Sequence, residues 1–281
     1  MKKLIIILGV VGCSLSAILV RYSDAPSTVL AFYRMFFAAV LLLSALLKSG
    51  VGEYKTAGAR NVILCVASGL FLGLHFTFYF ESLKLTSIAS SVVLVDTEVF
   101  FVALGGVLFL KEKLSKVGWI CIAVTFAGSL IVALGDMSKG ALVGDLIALA
   151  GAVCVSIYTL IGRKMRKSMS TTAYTWIVYS TAAAVVFIVT LFTKTPVIPV
   201  SLKNLLIGLG LTVFCTLLGH SIFSWGLKYE KAAFISTVKL LEPVFASIIG
   251  VILFSEIPPI TSIIGGVLVL VGIVFLCREE K

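Results

Sequence analysis

Two short stretches put charged groups inside otherwise apolar runs. In "STVKLLEPVFASIIGVILFSE" (236–256) these are Lys239 and Glu242, followed by Pro243, and in "VDTEVFF" (95–101) they are Asp96 and Glu98. An ammonium group with nearby carboxylates can grip the two poles of a zwitterion, hold an organic cation, bind and release a proton, or pin two helices together as an ion pair. Lys239 and Glu242 are three residues apart, about 60° around a helix, so both can serve one polar spot. Pro243 lacks an N–H, so the carbonyl of Lys239 loses its helical partner, and a hinge is expected there. Asp96 and Glu98 are about 200° apart on a regular helix and are not expected to face one point. Asp96 is the natural partner of Lys239, with Glu98 as the alternative, and whichever acid does not pair with it is expected to face another helix, where Arg34 could meet it. His75 and His220 introduce aromatic segments that include Tyr79 and Trp225. Both histidines can be ordinary packing residues, cavity lining or proton sensors.

The elements that carry these residues follow from composition. With 60% hydrophobic and only 13% charged residues, the chain lies far from soluble domains and is expected to be an all-α integral membrane protein. Apolar runs long enough to cross a ~30 Å hydrocarbon core as helices recur at 4–20, 29–47, 61–80, 87–110, 117–134, 143–162, 174–192, 205–226, 232–254 and 260–277. Ten transmembrane helices are therefore expected. Little chain lies between them, which excludes a large catalytic or nucleic-acid-binding module outside the membrane.

The net charge of +10 reads as orientation. With the N-terminus inside, 16 of the 23 Lys and Arg residues fall in loops on the cytoplasmic side, 5 on the other, and Arg34 and Lys239 within spans. Both termini are expected in the cytoplasm, with the basic loops against anionic lipid rather than nucleic acid. The start "MKKLIIILGVVGC" also resembles a lipoprotein signal that would be cut before Cys13, but apolar character continues to Val20 and an uncleaved first helix is expected. The cysteines show no paired spacing and are read as packing residues, with neither disulfide nor metal. Gly69 and Gly73, four apart, read as a close-packing patch.

Shifting the chain by 144 positions aligns "TEVFFVALGGVLFLKE" (97–112) with "LEPVFASIIGVILFSE" (241–256), so that Glu98 meets Glu242 and Glu112 meets Glu256. The same offset pairs Gly128 with Gly272. Two units, 1–140 and 141–281, are expected. Each holds five spans, an odd number, so the second is inverted relative to the first around a central cavity, an arrangement suited to alternating access. Glu112 and Glu256 are expected to end their helices at the water boundary as structural groups, with Lys111, Lys113 and Lys116 beside Glu112.

"RYSDAPSTVLAFYRMFFAA" (21–39), "GLHFTFYFESLKLTSIASSVVLV" (73–95), "LFLKEKLSKVGWICIAVTFAGSLIV" (108–132) and "LGHSIFSWGLKYEKAAFISTVKLLEPVFASIIGVILFSE" (218–256) resemble the drug/metabolite transporter superfamily in its ten-helix EamA-type branch. The most specific elements are Phe-Tyr-Arg at 32–34, Leu-Glu-Pro at 241–243, and the glutamates that close the repeats. The resemblance implies an inverted-repeat carrier with spans 3, 4, 8 and 9 among those lining the cavity, and no single substrate. Two departures stand out. Val99 occupies the place matching Pro243, so a one-sided kink is expected, and Asp96, Glu98 and Lys239 put charge where relatives are expected to be uncharged.

No phosphate loop, nucleophile set or metal motif occurs, so no catalytic residue, metal or cofactor is expected. The expected function is secondary transport of a small polar metabolite, as exporter or exchanger in the inner membrane. An amino-acid-like zwitterion is favoured, an exporter of organic cations or amphipathic drugs is the alternative, and an intramembrane enzyme is the remote one. The expected cavity residues are Lys239, Glu242, Asp96, Glu98, His75, Tyr79, His220 and Trp225, with Pro243 as hinge and Arg34 as gate or ion-pair partner. Arg34 lies near the outer end of its span, where it could also snorkel to the interface. The expected partners are a small-molecule substrate and the bilayer, with a proton as candidate coupling ion and no nucleic acid, in a monomer or weak homodimer. Reporters fused after Lys281 and in the loop around Asp136 should report opposite sides of the membrane; the same side for both would end the inverted-repeat reading.

Overall fold

The computed structural model describes residues 2–49, 52–86, 88–134, 142–198, 201–242, 244–245, 248–249 and 260–279. Pro243, Glu256 and the loop around Asp136, each with an expected role, lie outside the described residues. Every regular element among the described residues is helical. In order they are α1 (Lys2–Tyr22), α2 (Ser27–Ser49), the short α3 (Gly52–Ala57), α4 (Ala59–Leu85), α5 (Ile88–Asp96), α6 (Glu98–Leu110), α7 (Lys116–Leu134), α8 (Leu142–Met165), α9 (Thr171–Phe192) and α10 (Leu202–Gly210). A π-helical segment, Leu211–His220, continues α10 into α11 (Ser221–Gly226); α12 (Ala232–Lys239) and α13 (Ile260–Glu279) complete the series.

Six of these runs are long and apolar enough to cross a membrane: α1, α2, α4, α8, α9 and the continuous stretch Leu202–Gly226. Large apolar side chains such as Leu8, Leu47, Ile63, Phe109, Phe192 and Leu270 point outward, as expected where lipid is the solvent. The core lies among α2, α4, α8 and α9, where Leu30, Phe76, Phe80, Tyr158, Tyr174 and Tyr179 are buried together.

Packing follows the 144-residue offset seen in the sequence. Elements matched by it meet each other, α2 with α9 and α7 with α13, while α4 on α8 has its counterpart in the π-helical segment on α1. Small residues permit the closest approaches. A Cβ at Gly128 would stand 2.7 Å from the Gly265 carbonyl oxygen, and one at Gly69 would stand 2.6 Å from that of Val178. The Gly69/Gly73 pair thus packs α4 on α9, and Gly128 packs α7 on α13. Helix α1 is part of the packed body as well, since Gly12 lies against the carbonyl of Phe214. Cys13, Cys65, Cys121, Cys154 and Cys215 are buried, and among the described residues none is in a disulfide.

The fourth span is not one helix. Regular α-helix stops at Asp96 and resumes at Glu98. At the joint the Thr97 N–H donates to the Leu94 carbonyl (3.3 Å), and its hydroxyl donates to the same oxygen (2.6 Å). The ninth span does the same at the matching place: α12 stops at Lys239, and the Leu241 N–H donates to the Val238 carbonyl at 3.1 Å. Residues 97 and 241 are 144 apart, as are 94 and 238, so one tight i→i+3 turn interrupts both helices in repeat register. The expectation of a one-sided kink is corrected here. No proline is needed on the Thr97 side, because the threonine hydroxyl competes for the carbonyl that a regular helix would use.

Glu112 is structural in a different way from that expected. Lys111 adopts a left-handed conformation (φ 54°) at the end of α6, and the Glu112 N–H donates to the Gly106 carbonyl at 3.0 Å. That turn swings the carboxylate back into the protein. Oε1 accepts from Arg163 Nε at 2.6 Å, and Oε2 accepts from the Ala232 N–H at 3.2 Å. Arg163 also donates from Nη1 to the Leu227 carbonyl at 2.6 Å. The partner is therefore Arg163 of α8 rather than the adjacent lysines, and the side chain is largely buried rather than solvated. It caps α12, whose own N-cap residue Lys231 supplies no side-chain cap bond. Glu112→Gln should weaken this tie by roughly 1.5–3 kcal/mol. The expected result is a reduced yield of monodisperse protein with little change in ligand affinity; normal yield with lost binding would contradict the structural role.

Candidate functional site

The break in α5–α6 and the end of α12 face a common cavity. Its walls take Cys13 and Ser16 from α1, Arg34 from α2, and His75, Phe76 and Tyr79 from α4. Val92, Val95, Asp96 and Glu98 come from α5–α6, Val155 from α8, His220 from the π-helical segment, and Lys239 and Glu242 from the α12 side. Atom-free space within it is about 500 Å³, open mouth included. Seven of the eight cavity residues expected from the sequence line it. Trp225 does not: it is one turn past His220 and packs against Tyr229, with ring centroids 5.0 Å apart.

The central interaction is an ion pair between the two halves of the chain. Lys239 Nζ donates to Glu98 Oε1 at 2.5 Å, and both residues are buried, at 8% and 3% exposure. Glu98, not Asp96, thus takes the role expected of Asp96. The reason is the interruption at Thr97, which removes the 200° separation of a continuous helix and lets both acids line one cavity. The ammonium also lies 5.7 Å from the Phe223 ring centroid. The other oxygen of Glu98, Oε2, is buried without a hydrogen-bond partner among the described residues.

Arg34 is buried at 1% exposure, which rules out snorkelling to the interface. Its Nε donates to Thr216 Oγ1 at 2.8 Å and its Nη1 to Ser16 Oγ at 3.1 Å, and the guanidinium lies 4.1 Å over the Phe76 ring. Its backbone is held too, since the Thr212 hydroxyl donates to the Arg34 carbonyl at 3.1 Å. Arg34 does not pair with Glu98, because Glu98 is the acid that bonds Lys239. Thr216 itself donates to the Leu211 carbonyl five residues back at 3.3 Å, across the widened π turn.

The histidines are fixed in different ways. His75 Nδ1 is 3.0 Å from the Gly151 carbonyl, which only accepts, so Nδ1 carries the proton, and the ring stacks on Tyr79 at 5.9 Å. His220 contacts Phe76 edge-on at 5.3 Å, and its Nδ1 is buried without a partner among the described residues.

Ser16, Thr216, Cys13 and the π-helical segment were missed in the sequence. Hydroxyl and thiol residues in apolar helices are common, and nothing in "LTVFCTLLGH" marks a π-helix. Only the pairing of Thr212 and Thr216 at helical spacing, on a span thought to line the cavity, offered a signal.

A helical body with outward apolar faces and a buried cavity holding both signs of charge defines a membrane protein with a polar interior. The chain belongs to the EamA-like transporter family, whose description matches residues 2–134 and again 142–278. It is similar to the pseudopaline exporter CntI of Pseudomonas aeruginosa, 26% identical with 91% of this chain and 88% of that one covered. It is also similar to the uncharacterized transporter YyaM of Bacillus subtilis, 28% identical with 89% and 83% covered. A crystal structure superposes with a TM-score of 0.80 over 100% of this chain and 99% of the other, at 19% identity, a likeness of fold alone. The protein is a multi-pass membrane transporter of a small molecule.

Lys239→Met should leave Glu98 buried and unpaired, at a cost of roughly 3–5 kcal/mol, and Lys239→Met with Glu98→Leu should restore folded yield. The melting temperature of purified protein reads both. An unchanged melting temperature in the single variant would show that the pair carries no structural weight.

Proposed function

We propose that this chain is a secondary active transporter, an exporter or exchanger, that moves a small amino-acid-like zwitterion across the inner membrane by alternating access. The observation that carries the reading is the cavity's charge: Arg34 and Lys239 stand with Asp96, Glu98 and Glu242 in one buried space. Charges at that depth are expensive, and their natural use is to meet opposite charges on a cargo or a coupling ion. Aliphatic and aromatic walls from Val92, Val95, Val155, Phe76 and Tyr79 suit a short apolar side chain between the two poles.

Alternating access draws support from the interruptions at Thr97 and Leu241, which give each half a matching place to bend. The two family matches support units 1–140 and 141–281, with ten crossings and the second unit inverted. The basic residues support cytoplasmic termini, and an exporter among the relatives supports outward transport. A second reading, export of organic cations, is favoured by the excess of three carboxylates over two cations in the walls.

Proteoliposome counterflow separates the two. Vesicles loaded with mixed unlabelled amino acids should accumulate labelled zwitterion, while vesicles loaded with tetraalkylammonium and aromatic amines should not accumulate labelled cation. The reverse pattern would replace the first reading by the second. An imposed pH gradient should change the extent of accumulation if one of the cavity acids carries a proton, and leave it unchanged in a pure exchanger.

A further inference from the structure

We infer that Arg34 is the anion anchor of the cavity, gripping the cargo's carboxylate, while Lys239 holds Glu98 in place for the cargo's ammonium. The inference rests on the zwitterion reading above and assigns its two poles.

Lys239 is the obvious anchor by sequence, but its ammonium already has a carboxylate at 2.5 Å. A second carboxylate would have to break that bond or share it. Arg34 is in the opposite state. Its described hydrogen-bond partners, Ser16 and Thr216, are neutral hydroxyls, and among the described residues no carboxylate lies within ion-pair distance of it. A guanidinium has five N–H groups and keeps its charge in any protein environment, so it cannot shed the cost of burial by losing a proton. A cation buried this completely, lining a cavity and with hydroxyls as its described hydrogen-bond partners, is complete when an anion arrives.

Geometry supports the same end. Phe76 covers the guanidinium, its ring centroid 4.1 Å from Cζ, and the bonds from Nε and Nη1 hold its orientation. A planar fork held this way is prepared for bidentate binding of a carboxylate. The π-helical turn explains how Thr216 comes to serve it: its hydroxyl proton goes back to the Leu211 carbonyl, which leaves a lone pair for Arg34. On the other wall, Glu98 Oε2 is a buried acceptor without a described partner. An ammonium would complete it. A cavity for simple cations would need the acids alone, so Arg34 is the residue that separates a zwitterion site from an organic-cation site.

The test uses purified full-length protein in nanodiscs and three matched probes: L-leucine, 3-methylbutylamine, which lacks its carboxylate, and 4-methylpentanoate, which lacks its ammonium. Wild type should bind leucine more tightly than either fragment. Arg34→Gln should lower leucine affinity roughly 10- to 100-fold, to the level of the amine or below it, with amine affinity not reduced. If Arg34→Gln does not fold, Arg34→Lys keeps the charge but loses the fork, and should still lower leucine affinity without touching the amine. Wild-type leucine affinity in the folded variant would overturn the assignment while leaving the zwitterion reading intact. Equal binding of 4-methylpentanoate and leucine by wild type, both lost in Arg34→Gln, would keep the anchor and overturn the zwitterion reading. Amine binding as tight as leucine, or no binding of any probe, would overturn both.

Discussion

The rest of the structure depends on one constraint: charge carried to mid-span must be met by charge or hydrogen bonds there. The Lys239–Glu98 bond, between residues 141 apart in sequence, is where that constraint is satisfied. It joins α12 to the start of α6 at the point where each span is interrupted. An interrupted helix has carbonyls and N–H groups without their regular partners, which hydrocarbon cannot satisfy. Interruption is tolerable only around a polar interior, and a polar interior is what the ion pair, Arg34, His75 and His220 supply. The cavity and the broken helices are therefore two consequences of the same few residues.

Backbone symmetry and chemical symmetry part company at this point. The tight turns at Thr97 and Leu241 match at the 144-residue offset, as do Glu98 and Glu242. The lysine does not: its equivalent is Val95. Two equivalent acids thus face a single ammonium, and the described short bond goes to Glu98. The backbone turns follow the 144-residue offset, while the lysine of the ion pair has no counterpart at that offset. Arg34 is unmatched in the same way, since the residue 144 positions on is Val178, a packing residue against Gly69.

The membrane class, the long helices and the repeat register were legible in the sequence, because hydropathy over twenty residues and paired glutamates are strong signals. Most of the cavity was legible too, since a charge inside an apolar run has few places to go. What failed was local. The angle between Asp96 and Glu98 was drawn on a regular helix, and Thr97 breaks that helix with a hydroxyl bond no periodicity reveals. Glu112 was assigned to neighbouring lysines because the left-handed turn at Lys111, which redirects it to Arg163, has no glycine to announce it. The position of Arg34 near the end of its span left an interfacial site open beside a gate or ion-pair role, whereas the hydroxyls that draw it inward come from α1 and the π-helical segment.

Energetics argue that stability alone does not explain these charges. A buried ion pair commonly does no better than well-packed apolar residues of similar volume, so replacing Lys239 and Glu98 together is expected to be tolerable for the fold. Removing one alone is costly for the opposite reason, because the partner remains buried. Arg34 stands further along the same scale: it is buried, permanently charged, and held by neutral hydroxyls. A protein whose only task was to pack would have no use for it there. The arrangement makes physical sense where an opposite charge on a cargo can meet it, as the proposed zwitterion would.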